Sequence, residues 1–162
     1  MATSLLCLVL ATHDHATCTP ASSLQRVVKP ISGDVIMKAL GDVGHSKHVV
    51  NLGAGCYTNT LRECLKLDEG LRRITQHGWA GMLVEARNKS AAMLRSELPA
   101  GKVAVVEDFV TPLTIARLLH ENRVPTDLGM FKIDIDGYDC AVLEATLNAG
   151  WRPRVVFMEV NP

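Results

Sequence analysis

A chain of 162 residues, 48% hydrophobic and 21% charged, has the make-up of one folded domain with a real core. Lys plus Arg number 17, and so do Asp plus Glu. The resulting zero net charge removes any electrostatic case for a nucleic acid or an acidic membrane as partner.

The five cysteines, Cys7, Cys18, Cys56, Cys64 and Cys140, are scattered, odd in number and never spaced as C-x-x-C. Neither a disulfide framework nor a zinc site is expected, and a reducing compartment is the default. Residues 4–11 form an apolar run too short to span a bilayer. It has the length of a signal-peptide core, and Ala16-Thr17-Cys18 resembles a cleavage site, but no Lys or Arg precedes it. Cytoplasmic placement is favoured, with secretion or organelle import as the alternative. His13-Asp14-His15 lacks the i, i+4 spacing of helical metal ligands and reads as a polar tail. Residues 19–23 are a Pro/Ser/Thr linker, so residues 1–21 are taken as an extension and 22–162 as the domain.

Residues 24–29 predict a short helix that Pro30 stops. Ser32 caps a second over 34–40, where Val35, Ile36, Ala39 and Leu40 form an apolar stripe. The first clear strand, 48–52, runs into Gly53-Ala54-Gly55. Glycines there let the backbone turn sharply and approach a ligand. The dinucleotide fingerprint G-x-G-x-x-G fails, because Thr58 stands at its third glycine. That argues against NAD(P) or FAD and leaves other adenosyl ligands open.

A helix is predicted over 60–77, with Leu61, Cys64, Leu65, Leu67, Leu71 and Ile74 inward, Gly70 as an interruption and Gly78 as the stop. The strand 82–85 ends at Glu85. A carboxylate there can accept hydrogen bonds from a ribose diol, or it can be a surface acid beside a helix start. A helix over 88–98 and a strand over 102–106 follow, then Glu107-Asp108-Phe109. This trio could meet an adenine through its amine and ring face, or be a solvated loop. A helix is predicted over 111–119 and a loop over 122–127.

The string Phe131-Lys132-Ile133-Asp134-Ile135-Asp136-Gly137-Tyr138-Asp139 is an apolar strand that turns acidic and breaks at a glycine. Side chains alternate along a strand, so Lys132, Asp134 and Asp136 are expected on one face. Asp134 and Asp136 are candidate general bases. The alternative pairs Lys132 with Asp134 as a local ion pair without a chemical role. A helix over 141–147 and a strand over 155–160 complete the chain.

Alternating strands and helices predict an α/β fold: a Rossmann-like, open, mostly parallel sheet of about five strands with helices on both faces. Ligands in such sheets bind outside the carboxyl ends of the strands. Four or five of those ends are polar here.

Residues 48–162 resemble the class I S-adenosylmethionine-dependent methyltransferases, most closely the FkbM type. The likeness rests on Val49-Val50-Asn51-Leu52-Gly53-Ala54-Gly55, Gly81-Met82-Leu83-Val84-Glu85-Ala86, the Phe131–Asp139 string and Val155-Val156-Phe157-Met158-Glu159. It implies strand order 3-2-1-4-5 and S-adenosylmethionine as cofactor. It implies Gly53 and Gly55 for the cofactor loop with Asn51 beside it, Glu85 for the ribose, and Asp108 and Phe109 for the adenine. Asp134 and Asp136 would face the methyl-transfer site, and no metal is implied. Asn51 replaces the acid that many class I enzymes carry. The family's sheet has seven strands, so the final antiparallel hairpin is expected to be missing, leaving the fifth strand as an edge open to self-association. The expected activity is O-methyl transfer to a small molecule or sugar hydroxyl. A catalytically inactive binding module is the alternative, and a Rossmann-like domain for another nucleotide is a third reading.

Overall fold

The structure is a computed structural model that describes residues 35, 36, 38, 46–56 and 60–158. The expectations for residues 1–34, most of the 34–40 helix, Thr58 and the end of the fifth strand lie outside the described residues.

Five strands build one sheet: β1 (Ser46–Leu52), β2 (Ala80–Val84), β3 (Val103–Val106), β4 (Leu128–Ile133) and β5 (Val155–Met158). Their order is β3-β2-β1-β4-β5 and every pair is parallel. This confirms the predicted α/β Rossmann-like architecture. Five helices connect the strands: α1 (Leu61–Leu67), α2 (Glu69–His77), α3 (Asn88–Glu97), α4 (Ile115–Glu121) and α5 (Asp139–Asn148). Among the described residues no helix is long and apolar enough to cross a membrane.

Because both faces of a parallel sheet are covered, its strands read as continuous apolar runs. One face, with Val50, Leu52, Phe131 and Ile133, packs against Ile115 and Leu119 of α4 and Val142 of α5. The other, with Val49, Leu83, Met130 and Val155, packs against Cys64 of α1, Leu71 and Ile74 of α2 and Leu94 of α3. Trp151 plugs the end of the first layer and donates its Nε1–H to the Val124 carbonyl at 3.2 Å.

Three expectations are corrected. The helix predicted over 60–77 is two helices, and the break is at Asp68, not at Gly70. Asp68 adopts extended dihedrals and caps α2 by accepting from the Leu71 amide at 2.7 Å. Gly70 is there for close approach: a Cβ on it would lie 2.8 Å from Asn51 Nδ2. Second, β4 starts at Leu128 and ends at Ile133, three residues earlier than predicted at each end. Alternation therefore stops before Asp136, which sits at φ +55° in a turn and does not continue the face of Lys132 and Asp134. Third, Cys56 and Cys64 form a disulfide, their Cα atoms 5.4 Å apart. Disulfides persist in oxidising surroundings, so the reducing default drawn from the scatter of the cysteines loses its basis. The bond closes a short loop from the end of the glycine turn to α1, a constraint of about 2–3 kcal/mol in the chain-entropy account.

A Gly70→Ala substitution tests the close approach. Helix propensity alone favours Ala by about 1 kcal/mol. Because Asn51 is fully buried and cannot move aside, the substitution is expected instead to destabilise the domain by about 1–3 kcal/mol in denaturant unfolding.

Candidate active site

At the carboxyl edge of the sheet, β1 turns over through Gly53 at φ +74°. The Gly53 and Ala54 amides both donate to the Val84 carbonyl, at 2.9 and 3.1 Å, and lay the loop across the end of β2. On the other side the Asp134 amide donates to the Leu52 carbonyl at 3.1 Å. A Cβ on Gly53 would overlap the Asp134 carbonyl oxygen, and one on Gly55 would overlap the Glu85 carboxylate. The loop thus runs between two acids with no room for a side chain. A positive φ and these two overlaps make glycine the residue both positions require.

Glu85 is buried at the end of β2. Its Oε1 accepts from the Arg87 amide at 2.8 Å and from Arg87 Nε at 3.1 Å. Its Oε2 is the oxygen next to Gly55. Residues 38–162 match the family model described as the methyltransferase FkbM domain. The chain belongs to the FkbM methyltransferase family. Comparison with curated proteins and with solved structures found no match.

Within the FkbM domain, Asn51, Gly53, Gly55, Glu85 and Asp134 come together around the loop, and each occupies a different place in it. Asn51 does not face the opening. It is fully buried, its Nδ2 donates to Asp68 Oδ1 at 2.8 Å, and its Oδ1 has no partner among the described residues. Its influence on the loop passes through the backbone of its own strand. Asp68 was not foreseen as part of the site, and neither was the role of Lys132. The Lys132 ammonium lies 3.3 Å from Asp68 Oδ2 and 3.0 Å from Asp134 Oδ2. The pair that sequence reading offered as an alternative, Lys132 with Asp134, therefore exists, and Asp68 makes it a triad. The Lys132 side chain is 12% exposed. Burial works against its charge, yet the two carboxylates outweigh burial and raise its pKa.

Asp136 is exposed beyond the strand end and accepts no hydrogen bond from the described residues. The turn carrying it is held by Asp139, at the start of α5. Asp139 Oδ1 accepts from the Ile135 amide and Oδ2 from the Gly137 amide, both at 3.1 Å. Asp139 stood in the quoted string without a role; an acid in the first turn of a helix, next to a glycine turn, was the available signal.

Asp108 and Phe109 lie at the end of β3, next to Glu85's strand; the Glu85 amide donates to the Val106 carbonyl at 3.0 Å. Asp108 pairs with Arg117 at 3.3 Å and accepts from the Phe109 amide at 2.8 Å. The Phe109 side chain is 75% exposed, which leaves its ring face open. Glu107 is turned away to Asn88 and Arg95, whose hydrogen bonds lower its pKa. Among the described residues no three of His, Cys, Asp or Glu gather as metal ligands.

Two outcomes check this geometry. Asp139→Ala is expected to speed hydrogen exchange of the Ile135 and Gly137 amides while leaving the β1 amides protected. Lys132 also predicts a pH dependence. Its folded pKa lies above the ordinary 10.5, so its contribution to stability is complete below that value and is lost as pH rises through the higher folded value. Unfolding measured from pH 8 upward is expected to show that alkaline loss in the native protein and not in Lys132→Met.

Proposed function

We propose that this FkbM domain transfers a methyl group from S-adenosylmethionine to a hydroxyl of a small molecule or sugar. The observation that carries the reading is the glycine loop laid between the Glu85 and Asp134 positions, with the Glu85 carboxylate buried against Gly55. Arg87 donates to Oε1, and a carboxylate at this strand end can accept hydroxyl hydrogen bonds of the kind a ribose would offer. The exposed ring of Phe109, one strand further along the same edge, suits the face of an adenine. Gly53 and Gly55 would let the ligand pass close to the backbone, and Asn51 would hold their strand from behind.

When bound, S-adenosylmethionine supplies an electrophilic methyl carbon on a sulfonium. The protein's task is then to hold the acceptor oxygen in line with that carbon, within about 3–3.5 Å, and to remove its proton. Asp136 is the better candidate for the base, because it is exposed, whereas Asp134 is engaged by Lys132. Asp134 is assigned instead to the electrostatics beside the loop. Burial of Glu85 and the tethered turn of residues 134–138 would keep both acids in place without rearrangement on binding.

Calorimetric titration tests the binding half. Both S-adenosylmethionine and S-adenosylhomocysteine are expected to bind, and NAD is not. Glu85→Gln is expected to weaken both adenosyl ligands by roughly tenfold or more, the value of a charge-assisted hydrogen bond. Asp136→Asn is expected to leave those affinities unchanged and to lower methyl transfer to a hydroxyl acceptor by about 10²–10⁴. Absence of heat with either adenosyl ligand would sink the reading. Binding without transfer to any hydroxyl acceptor would favour an inactive binding module, and full turnover by Asp136→Asn would remove Asp136 from the mechanism.

A further inference from the structure

The disulfide between Cys56 and Cys64 sits at the far end of the glycine loop. Cys56 follows Gly55 directly, and Gly55 is the residue wedged against the Glu85 carboxylate. At its near end the loop is held by hydrogen bonds, from the Gly53 and Ala54 amides to the Val84 carbonyl. At its far end the covalent bond ties it to α1. Cys64 is a firm anchor for that tie. It is fully buried, belongs to the apolar cluster that also contains Ala54 and Leu71, and its amide donates to the Thr60 carbonyl at 3.1 Å. Gly55 lies between the two fixed ends, and glycine gains more backbone freedom on release than any other residue.

The two sulfurs differ in access. Cys64 is shut off from solvent, whereas Cys56 is partly exposed. A thiolate of a small dithiol can therefore attack Cys56 Sγ. The S–S bond breaks, Cys64 Sγ leaves as a thiolate and takes a proton, and Cys56 is left in a mixed disulfide. The second thiolate of the reductant then displaces Cys56 Sγ, which is protonated in turn. Two electrons and two protons pass to the protein, and the dithiol leaves as a cyclic disulfide.

We propose that this disulfide is a redox switch on the adenosyl site: closed, it keeps the glycine loop in its binding shape, and reduced by a dithiol, it frees the loop end and weakens the ligand. The proposal rests on the S-adenosylmethionine reading above, in which the ligand passes along this loop. Hydrogen bonds at the loop end are open to both redox states, so the covalent bond alone separates them. Pre-organisation is the physical link. A loop already ordered in the free protein need not be ordered by the ligand, whereas a released loop takes that cost out of the affinity. The site then answers to the redox poise of its surroundings.

Tryptic peptides of the unreduced protein are expected to show residues 48–62 linked to residues 63–66, because Arg62 lies between the two cysteines. Calorimetry with S-adenosylhomocysteine is expected to give a dissociation constant roughly three- to tenfold higher in dithiothreitol than without it. Cys56→Ser cannot form the bond and leaves Cys64 in the core. It is expected to bind as the reduced protein does and to ignore dithiothreitol. Cys140→Ser, which removes the exposed free thiol on α5, is expected to keep the full response. Hydrogen exchange without ligand is expected to quicken on reduction at the Gly53 and Ala54 amides and to stay unchanged at the Leu83 and Val84 amides of β2. A purely structural staple would lower the unfolding midpoint on reduction and leave the dissociation constant in place.

A dissociation constant that stays within about twofold on reduction overturns the proposal, and so does absence of the linked peptides. An equal response to dithiothreitol in Cys56→Ser overturns it too, since the effect then lies elsewhere. Faster exchange across β1 and β2 together also overturns it, because reduction then unfolds the domain and does not act on the loop. Should Cys56→Ser fail to fold, affinity and exchange in the reduced native protein decide. If the unreduced protein binds neither S-adenosylmethionine nor S-adenosylhomocysteine, the cofactor reading fails and takes this proposal with it. If it binds them and reduction leaves the affinities unmoved, only the present proposal fails.

Discussion

Lys132 brings a buried ammonium to the carboxyl edge of the sheet, and much of the site's geometry follows from what that charge requires. A cation in a protein interior loses its hydration and must be repaid by close partners. Here the partners come from three different parts of the fold. Asp134 follows the last residue of β4, Asp68 stands between α1 and α2, and Asn51 on β1 holds Asp68 in turn. Removing Lys132 would leave the buried Asp68 carboxylate without its cation, at a cost of about 3–5 kcal/mol. The break between α1 and α2, the absence of a side chain at Gly70 and the pairing of β1 with β4 all meet at this point.

The loop beside the triad is built on the same economy of space. Gly53 and Gly55 are pressed against Asp134 and Glu85 so closely that a methyl group at either position would overlap them. Hydrogen bonds from Gly53 and Ala54 to Val84 keep the loop down, and the Cys56–Cys64 disulfide ties its far end to α1. The opposite wall is held by Asp139, whose carboxylate takes up two amides of the turn around Asp136. A left-handed aspartate is sparsely populated in isolation, and these bonds supply the constraint that keeps it there. The glycine loop thus has Asp134 on one side and Glu85 on the other.

Much of this was legible in the order of residues. Strands such as Met82–Val84 and Val155–Met158 are apolar without interruption, as expected when both sheet faces are covered. Glycine after β1, an acid after β2 and the acidic string after β4 were each visible, because strand ends are where apolar runs must give way. Boundaries were less legible. Gly70 looked like the helix breaker on propensity, but the chain breaks at Asp68, whose capping strength depends on Asn51 and Lys132 being near. Alternation placed Asp136 with Lys132 and Asp134, yet the strand had already ended at Ile133. Spacing alone did not pair Cys56 with Cys64, whose Cα atoms the fold brings to 5.4 Å.

The sequence by itself determined the alternation of strands and helices, the family, and the short list of glycines and acids at the sheet's carboxyl edge. Those features are local, written in hydrophobic period and in the residues that end it. Tertiary structure decided which acids are engaged and which are open. Asp134 is tied to a lysine shared with a residue 66 positions earlier, while Asp136, two residues on, is left to solvent. No periodicity records that distinction, because it depends on how burial and charge are distributed once β1, β4 and α2 pack together.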